Sequence, residues 1–318
     1  MTDHLKLGAL IWPQYTDWES LQNVAARADD LGFDSLWTWD HLYPIVGDWR
    51  GPIFEGYLTL AGWAGVTERA TLGLMVGANT FRNPALVAKQ VTTLDHASDG
   101  RAVLGIGAAW FETEHTAYGI EFGRTPGERL RWLDEAVELM RGMLDGREPS
   151  ARGEFYRAQN VRNDPPPVQE RLPLLIGGGG EQKTLKTVAK YADAWNVGGD
   201  VERVRHKDEV LRRWCDDVGR DHREIERTLQ GGSVILRGNA ADARVVAADI
   251  GRQNGGWQGP ETAVTPDELV EKFAPYLELG FHHIYFDVPA PFDMETLDRL
   301  AREVRPGLQQ LMPQGQPA

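Results

Sequence analysis

Short apolar runs without polar alternation recur along the chain, with amphipathic stretches between them. LKLGALIW (5–12) is apolar throughout after Lys6, as expected of a strand covered on both faces. WESLQNVAARADDLGF (18–33) places apolar side chains at 18, 21, 24, 25, 28 and 31, a helical period, with Asp17 as N-cap and Gly32 as stop. Further strands are predicted at SLWTWDH (35–41), TLGLMVGAN (71–79), RAVLGIGAA (101–109) and LPLLIGGGG (172–180). AWNVG (194–198), LQGGSVILRG (229–238) and FHHIYFDVP (281–289) complete a set of eight. Helices are predicted near 55–66, from Asn83 with Pro84 at its first position, and over 126–146. Three more follow in KTLKTVAKYA, VERVRHKDEVLRRWCDDVG and METLDRLAREVRPGLQQL. This order predicts a (β/α)₈ TIM barrel, α/β in class, as a single domain over 1–318 with insertions near 110–125, 146–171 and 251–260. An open doubly wound sheet is the alternative, because alternation alone does not establish closure.

Composition narrows the function classes. The 318 residues are 42% hydrophobic and 25% charged, ordinary for a soluble globular protein. A net charge of −13 argues against nucleic acid as a partner, which needs a basic footprint. No run of 18 apolar residues occurs, and the first residues lack the layout of a signal peptide, so the expectation is a cytoplasmic protein without a membrane span. The single cysteine, Cys215, lies in a polar helical stretch and reads as structural. The tail MPQGQPA is the one segment that reads as disordered.

In such a barrel, reacting groups stand at the carboxyl ends of the strands. Asp40 and His41 end the second strand; adjacent strand residues point opposite ways, so one faces the mouth and the other braces the loop. His41 is either a hydrogen-bonded core histidine or a general acid–base group. Met75, Val76, Gly77, Ala78 and Asn79 end the third strand, and Gly105, Gly107 and Trp110 the fourth. For Gly105 and Gly107, close packing and ligand access stay equally open; Gly77, Ala78 and Asn79 lean towards a ligand. The strongest local signal is Gly177, Gly178, Gly179 and Gly180 running into a helix with Lys183 in its first turn, an anion site without net basic charge. It is neither a Walker loop nor GxGxxG. Glu112, Glu114 and His115 match no zinc pattern, so no metal is expected; they read as a solvated helix face or a lid. His282 and His283, at the amino end of strand eight, read as structural.

TWDHLYP, NTFRNPALVAKQVTTLDHASDGRAVLGIGAAWFETEHTAYG, PGERLRWLDEAVELM and LLIGGGGEQKTLKTVAKYADAWN together resemble the bacterial luciferase-like monooxygenase superfamily, and within it the class that uses the deazaflavin coenzyme F420. The resemblance runs from about residue 5 to 310. It implies the barrel fold, a bulge within Met75 to Ala78 that often carries a non-prolyl cis peptide, and a phosphate-binding turn at 177–180. It implies Asp40 as a cofactor contact and His41 as the catalytic group beside the ring. The related F420-dependent glucose-6-phosphate dehydrogenases carry an acid soon after the strand-four glycines, where this chain has Trp110. Glu112 follows two positions later, so proton donation falls to His41, Glu112 or water, and the substrate is more apolar than a sugar phosphate. The expected activity is hydride transfer between coenzyme F420 and a small organic substrate. The alternatives are an FMN-dependent monooxygenase and a non-catalytic flavin- or deazaflavin-binding protein. Superfamily members commonly form a homodimer.

Overall fold

The computed structural model describes residues 4–312; from residue 313 onward, the tail predicted to be disordered lies outside the described residues. Eight parallel strands close on themselves: β1 (Lys6–Ile11), β2 (Ser35–Thr38), β3 (Thr71–Leu74), β4 (Ala102–Gly107), β5 (Leu174–Gly177), β6 (Ala194–Val197), β7 (Glu226–Leu236) and β8 (His283–Val288). Each pairs with the next, and β8 returns to β1 with Lys6 opposite His283 and Ile11 opposite Val288. The barrel is therefore closed, and the open-sheet alternative falls.

The uniformly apolar strands follow from having two buried faces. Along β1, Leu7, Ala9 and Ile11 pack outward against the helices, while Leu10 faces inward with Trp12, Trp37, Trp39, Val103, Leu175 and Tyr285. The outer layer comprises α1 (Trp18–Asp30), α2 (Gly56–Ala64), α3 (Pro84–Ala97), α4 (Glu112–Tyr118), α5 (Pro126–Leu144), α6 (Thr184–Tyr191) and α7 (Val201–Val218). It continues with α8 (Ala240–Gln253), α9 (Pro266–Glu278), α10 (Met294–Arg299) and α11 (Arg305–Gln310). Asp17 caps α1 by accepting the Ser20 N–H, and Asn83 caps α3 ahead of Pro84.

The elements differ in detail from the expected ones. The third strand stops at Leu74, the Met75–Val76 peptide is cis, and pairing resumes at Gly77–Ala78 against Ile106 and Gly107. The closing helix is interrupted by a π turn over Leu300–Val304 just before Pro306, which has no N–H to continue the ladder. Helices α8 and α9, not singled out from the pattern, flank the glycine-rich insertion. The 110–125 insertion holds α4, and the 146–171 insertion holds an antiparallel pair, Ala151–Arg152 with Arg157–Ala158.

At the amino end of the barrel, Ser35 Oγ takes the Trp37 indole N–H and meets His283 Nε2, each at 2.8 Å. His283 also stands 3.3 Å from Glu226, and the His282 ring bonds the Leu277 carbonyl. Both histidines therefore belong to the floor of the barrel, away from its mouth.

Candidate active site

The carboxyl ends of the strands enclose a cavity of about 520 Å³. Strand β2 delivers two polar side chains to it, and they do different work. Asp40 is buried: its carboxylate takes both Arg82 Nη atoms at 2.7 and 2.9 Å and the Ala78 N–H at 2.8 Å. That bond ties the end of β2 to the bulge after β3. Arg82 lies over the Tyr57 ring. Burial pushes its pKa down, but the charge and hydrogen bonds of Asp40 outweigh this and raise it.

His41 lines the cavity, and its Nδ1 stands 2.8 Å from Glu114 Oε1. The other oxygen of Glu114 accepts the Leu42 N–H, also at 2.8 Å. Glu114 is 1% exposed, so both of its oxygens are engaged away from water. An ionised carboxylate only accepts, so Nδ1 carries the proton and Nε2 is left as the free ring nitrogen. Trp110 meets the imidazole edge-on at 5.5 Å and Trp39 at 6.5 Å.

The bulge explains the strand-four glycines. A Cβ on Gly107 would come within 2.7 Å of Val76 Cγ2, and one on Gly105 would overlap the Leu74 carbonyl oxygen. Gly177 faces the same valine, with a Cβ position 3.0 Å from its Cγ1. These glycines admit the bulge to the barrel wall; packing, one of the two open readings, accounts for Gly105 and Gly107.

At the glycine turn, Gly178 has φ +118°, a conformation that disfavours any other residue. Its N–H donates to the Asn196 carbonyl, and its own carbonyl takes the Trp195 indole N–H. Gly177, Gly178, Gly180 and Thr184 line the cavity beside Pro126, Arg129 and Leu130 from the start of α5. Lys183 joins the two helix starts, donating from Nζ to the Gly127 carbonyl at 3.0 Å. Arg129 is only 8% exposed, and its side chain has neither an ion pair nor a hydrogen bond among the described residues; its Nε is buried and unpartnered. Its guanidinium lies 3.9 Å over the Phe122 ring, and burial pulls its pKa down against the charges of Glu112 and Glu128. A buried cation without an ionic partner beside a glycine turn has the chemistry to hold an anion.

The structure thus brings Asp40, His41, Val76, Gly77, Ala78, Gly107, Gly177, Gly178 and Gly180 to one cavity. Asn79, Gly179 and Lys183 are outside its lining. Asn79 is buried, with its N–H on the Gly107 carbonyl and its own carbonyl on the Tyr156 hydroxyl. Glu112 requires a correction: it sits on the exposed side of α4, and Glu114 is the carboxylate beside His41. The sequence reading passed over Arg82, Arg129 and Thr184. Arg129 had a signal, since it falls on the apolar stripe of α5 with Leu133, Ala136 and Met140. Among the described residues, no group of three or more His, Cys, Asp or Glu could hold a metal ion. Cys215 is buried, which raises its thiol pKa. No described helix is long and apolar enough to cross a membrane.

The family model for luciferase-like monooxygenases matches residues 7–280. The chain belongs to the luciferase-like monooxygenase family. Among relatives in this family, an F420-dependent glucose-6-phosphate dehydrogenase of Intrasporangium calvum is 30% identical, over 92% of this chain and 95% of its own. Two solved structures share the fold at 18% identity. One is the coenzyme F420 dependent tetrahydromethanopterin reductase of Methanopyrus kandleri, with TM-score 0.78 over 96% of this chain and 99% of its own. The other is an F420-dependent secondary alcohol dehydrogenase in complex with an F420-acetone adduct, with TM-score 0.80 over the same shares.

Proposed function

We propose that this member of the luciferase-like family is an oxidoreductase that transfers a hydride between coenzyme F420 and a small organic substrate. The observation that carries the reading is one cavity lined by both an unpaired buried guanidinium, Arg129, and an imidazole with one free nitrogen, His41. The choice of F420 over FMN is supported by relatives whose names specify F420.

The lining fits such a cofactor. Arg129, Thr184 and the backbone of Gly180 would hold its phosphate, with Gly177 and Gly178 leaving room for it. Val76, Gly77 and Ala78, fixed by Asp40 and Arg82, would support its ring. When bound, coenzyme F420 supplies a carbon centre that accepts or gives a hydride. The protein's part is acid–base chemistry and exclusion of water. His41 Nε2 accepts the hydroxyl proton of a substrate being oxidised and returns it in the opposite direction. Glu114 keeps that nitrogen unprotonated in the neutral ring and balances the charge of the imidazolium. Trp39 and Trp110 shield the imidazole from solvent.

The test is a pair of titrations of the purified protein, followed by fluorescence, with coenzyme F420 and with FMN. Tight binding of F420 with FMN at least tenfold weaker supports the reading, and Arg129→Met should weaken F420 binding by about tenfold, roughly the worth of one charge-assisted hydrogen bond. Preferential binding of FMN would move the protein to flavin chemistry.

A further inference from the structure

We infer that the substrate is an uncharged, largely apolar alcohol or carbonyl compound, and that the phosphorylated sugar named for its 30% identical relative is not its substrate. The inference rests on the hydride-transfer reading for the place of the substrate, and on the charges of the cavity for its class.

Besides the phenol of Tyr285, the charged or titratable side chains of the lining are Asp40, His41, Glu114 and Arg129. Asp40 is held by Arg82, and Glu114 by His41 and the Leu42 N–H. Arg129 is therefore the one free cation of the lining among the described residues, and it stands at the start of α5 beside the glycine turn. The anionic tail of the cofactor would take it there. Other nearby cations are already engaged: Lys183 with the Gly127 carbonyl, Lys207 with Glu181, and Arg82 with both Asp40 and Glu55. A sugar phosphate carries about −1.5 to −2 charges at neutral pH. With Arg129 taken by the cofactor, it would meet the carboxylate of Glu114 beside His41 and find no free cation in the lining among the described residues, and an uncompensated buried charge is heavily disfavoured.

The same end of the cavity offers apolar surface instead. Leu10, Trp39, Ile45, Met75 and Trp110 line the cavity with His41, and Trp39 and Trp110 contact its ring. Trp110 is 62% exposed while standing over the imidazole and stacking on Phe111 at 5.4 Å. Such an aromatic face at a cavity mouth is suited to cover an apolar ligand. Of the polar groups there, the Asn196 amide is engaged by Tyr285 and Thr228, which leaves His41 Nε2 and Gln230 for one substrate oxygen, a set that suits a single hydroxyl or carbonyl. This set matches an apolar body with one oxygen function.

The experiment is saturation-transfer NMR on the F420-loaded protein with a mixture of cyclohexanone, acetophenone, benzyl alcohol and glucose 6-phosphate. Saturation of at least one neutral compound is expected, weakened at least fivefold in Trp110→Ala, with none of glucose 6-phosphate at millimolar concentration. Saturation of glucose 6-phosphate, or of nothing in the mixture, overturns the inference. Failure of F420 to bind in the preceding titration is a separate result that removes the hydride-transfer reading. The same mixture on the cofactor-free protein then still decides the substrate class.

Discussion

Glu114 makes the free nitrogen of His41 a fixed feature. Without the carboxylate the neutral ring has two tautomers, and Nε2 carries a proton in one of them. Glu114→Ala should therefore lower turnover on the order of 10²-fold, the low end of what a positioned acid or base contributes, with F420 affinity unchanged. Glu114→Gln should recover part of that loss, because its amide oxygen still accepts from Nδ1 while the Leu42 N–H goes unmet. The informative readout is the pH dependence of turnover: a merely structural Glu114 would leave the profile of the alanine variant superimposed on that of the parent. At this scale the sequence was half legible. The Asp-His pair at the end of a strand pointed to the site directly. Choosing among Glu112, Glu114 and His115 needed the start and orientation of α4, since Glu114 and His115 turn inward while Glu112 faces solvent.

The bulge after β3 and the glycines of β4 and β5 are one packing unit shared by three strands. Leu74, Val76 and the facing glycines approach too closely for any Cβ at Gly105. Gly105→Ala should destabilise the protein by about 1–3 kcal/mol, the usual penalty for an overpacked core. Gly238→Ala, where nothing lies within 4 Å of the new methyl, should stay within about 0.5 kcal/mol. Urea midpoints of the two variants check this; equal midpoints would show that the bulge can yield. The strands were readable because burial on both faces leaves an unbroken apolar run, and α1 and α3 were readable from Asp17, Asn83 and Pro84. Barrel closure was not, since it depends on β8 finding β1 across the whole chain. Helix α8 escaped notice because AADARVVAADIGRQ buries only Ala243, Ala247, Ile250 and Gly251, a stripe mostly of small residues with little contrast.

Across the whole molecule, two partly buried carboxyl groups mark the opposite ends of the barrel and titrate in opposite senses. Glu226, at the amino end, is pushed up by burial, but the hydrogen bonds and charges of His283 and Lys6 prevail and hold it at about 2. Asp287, on β8 at the carboxyl end, is raised by burial to about 7 despite Gln230 and Trp12 nearby, and its Oδ1 has no hydrogen-bond partner. For Glu226 the unfolded chain binds the proton first as pH falls, so its contribution is present above about 4.5 and is lost towards 2. For Asp287 the native state keeps a proton that the unfolded chain has released, so its contribution is present below about 4 and is lost as pH rises through 7. Denaturant unfolding from pH 3 to 8 should therefore show Asp287→Asn gaining on the parent as pH rises from 4 to 7, with no further gain above. Glu226→Gln should differ most from the parent above pH 5, and the difference should narrow, without vanishing, as pH falls to 3. Stability curves that run parallel to the parent would remove the assigned shifts. The division also has a functional side: the amino-end cluster is engaged by its own partners, Lys6, His283 and Ser35, so Glu226→Gln should alter stability without altering cofactor affinity. Asp287 lies next to Gln230, which lines the cavity, so Asp287→Asn is the variant in which stability and ligand binding should move together.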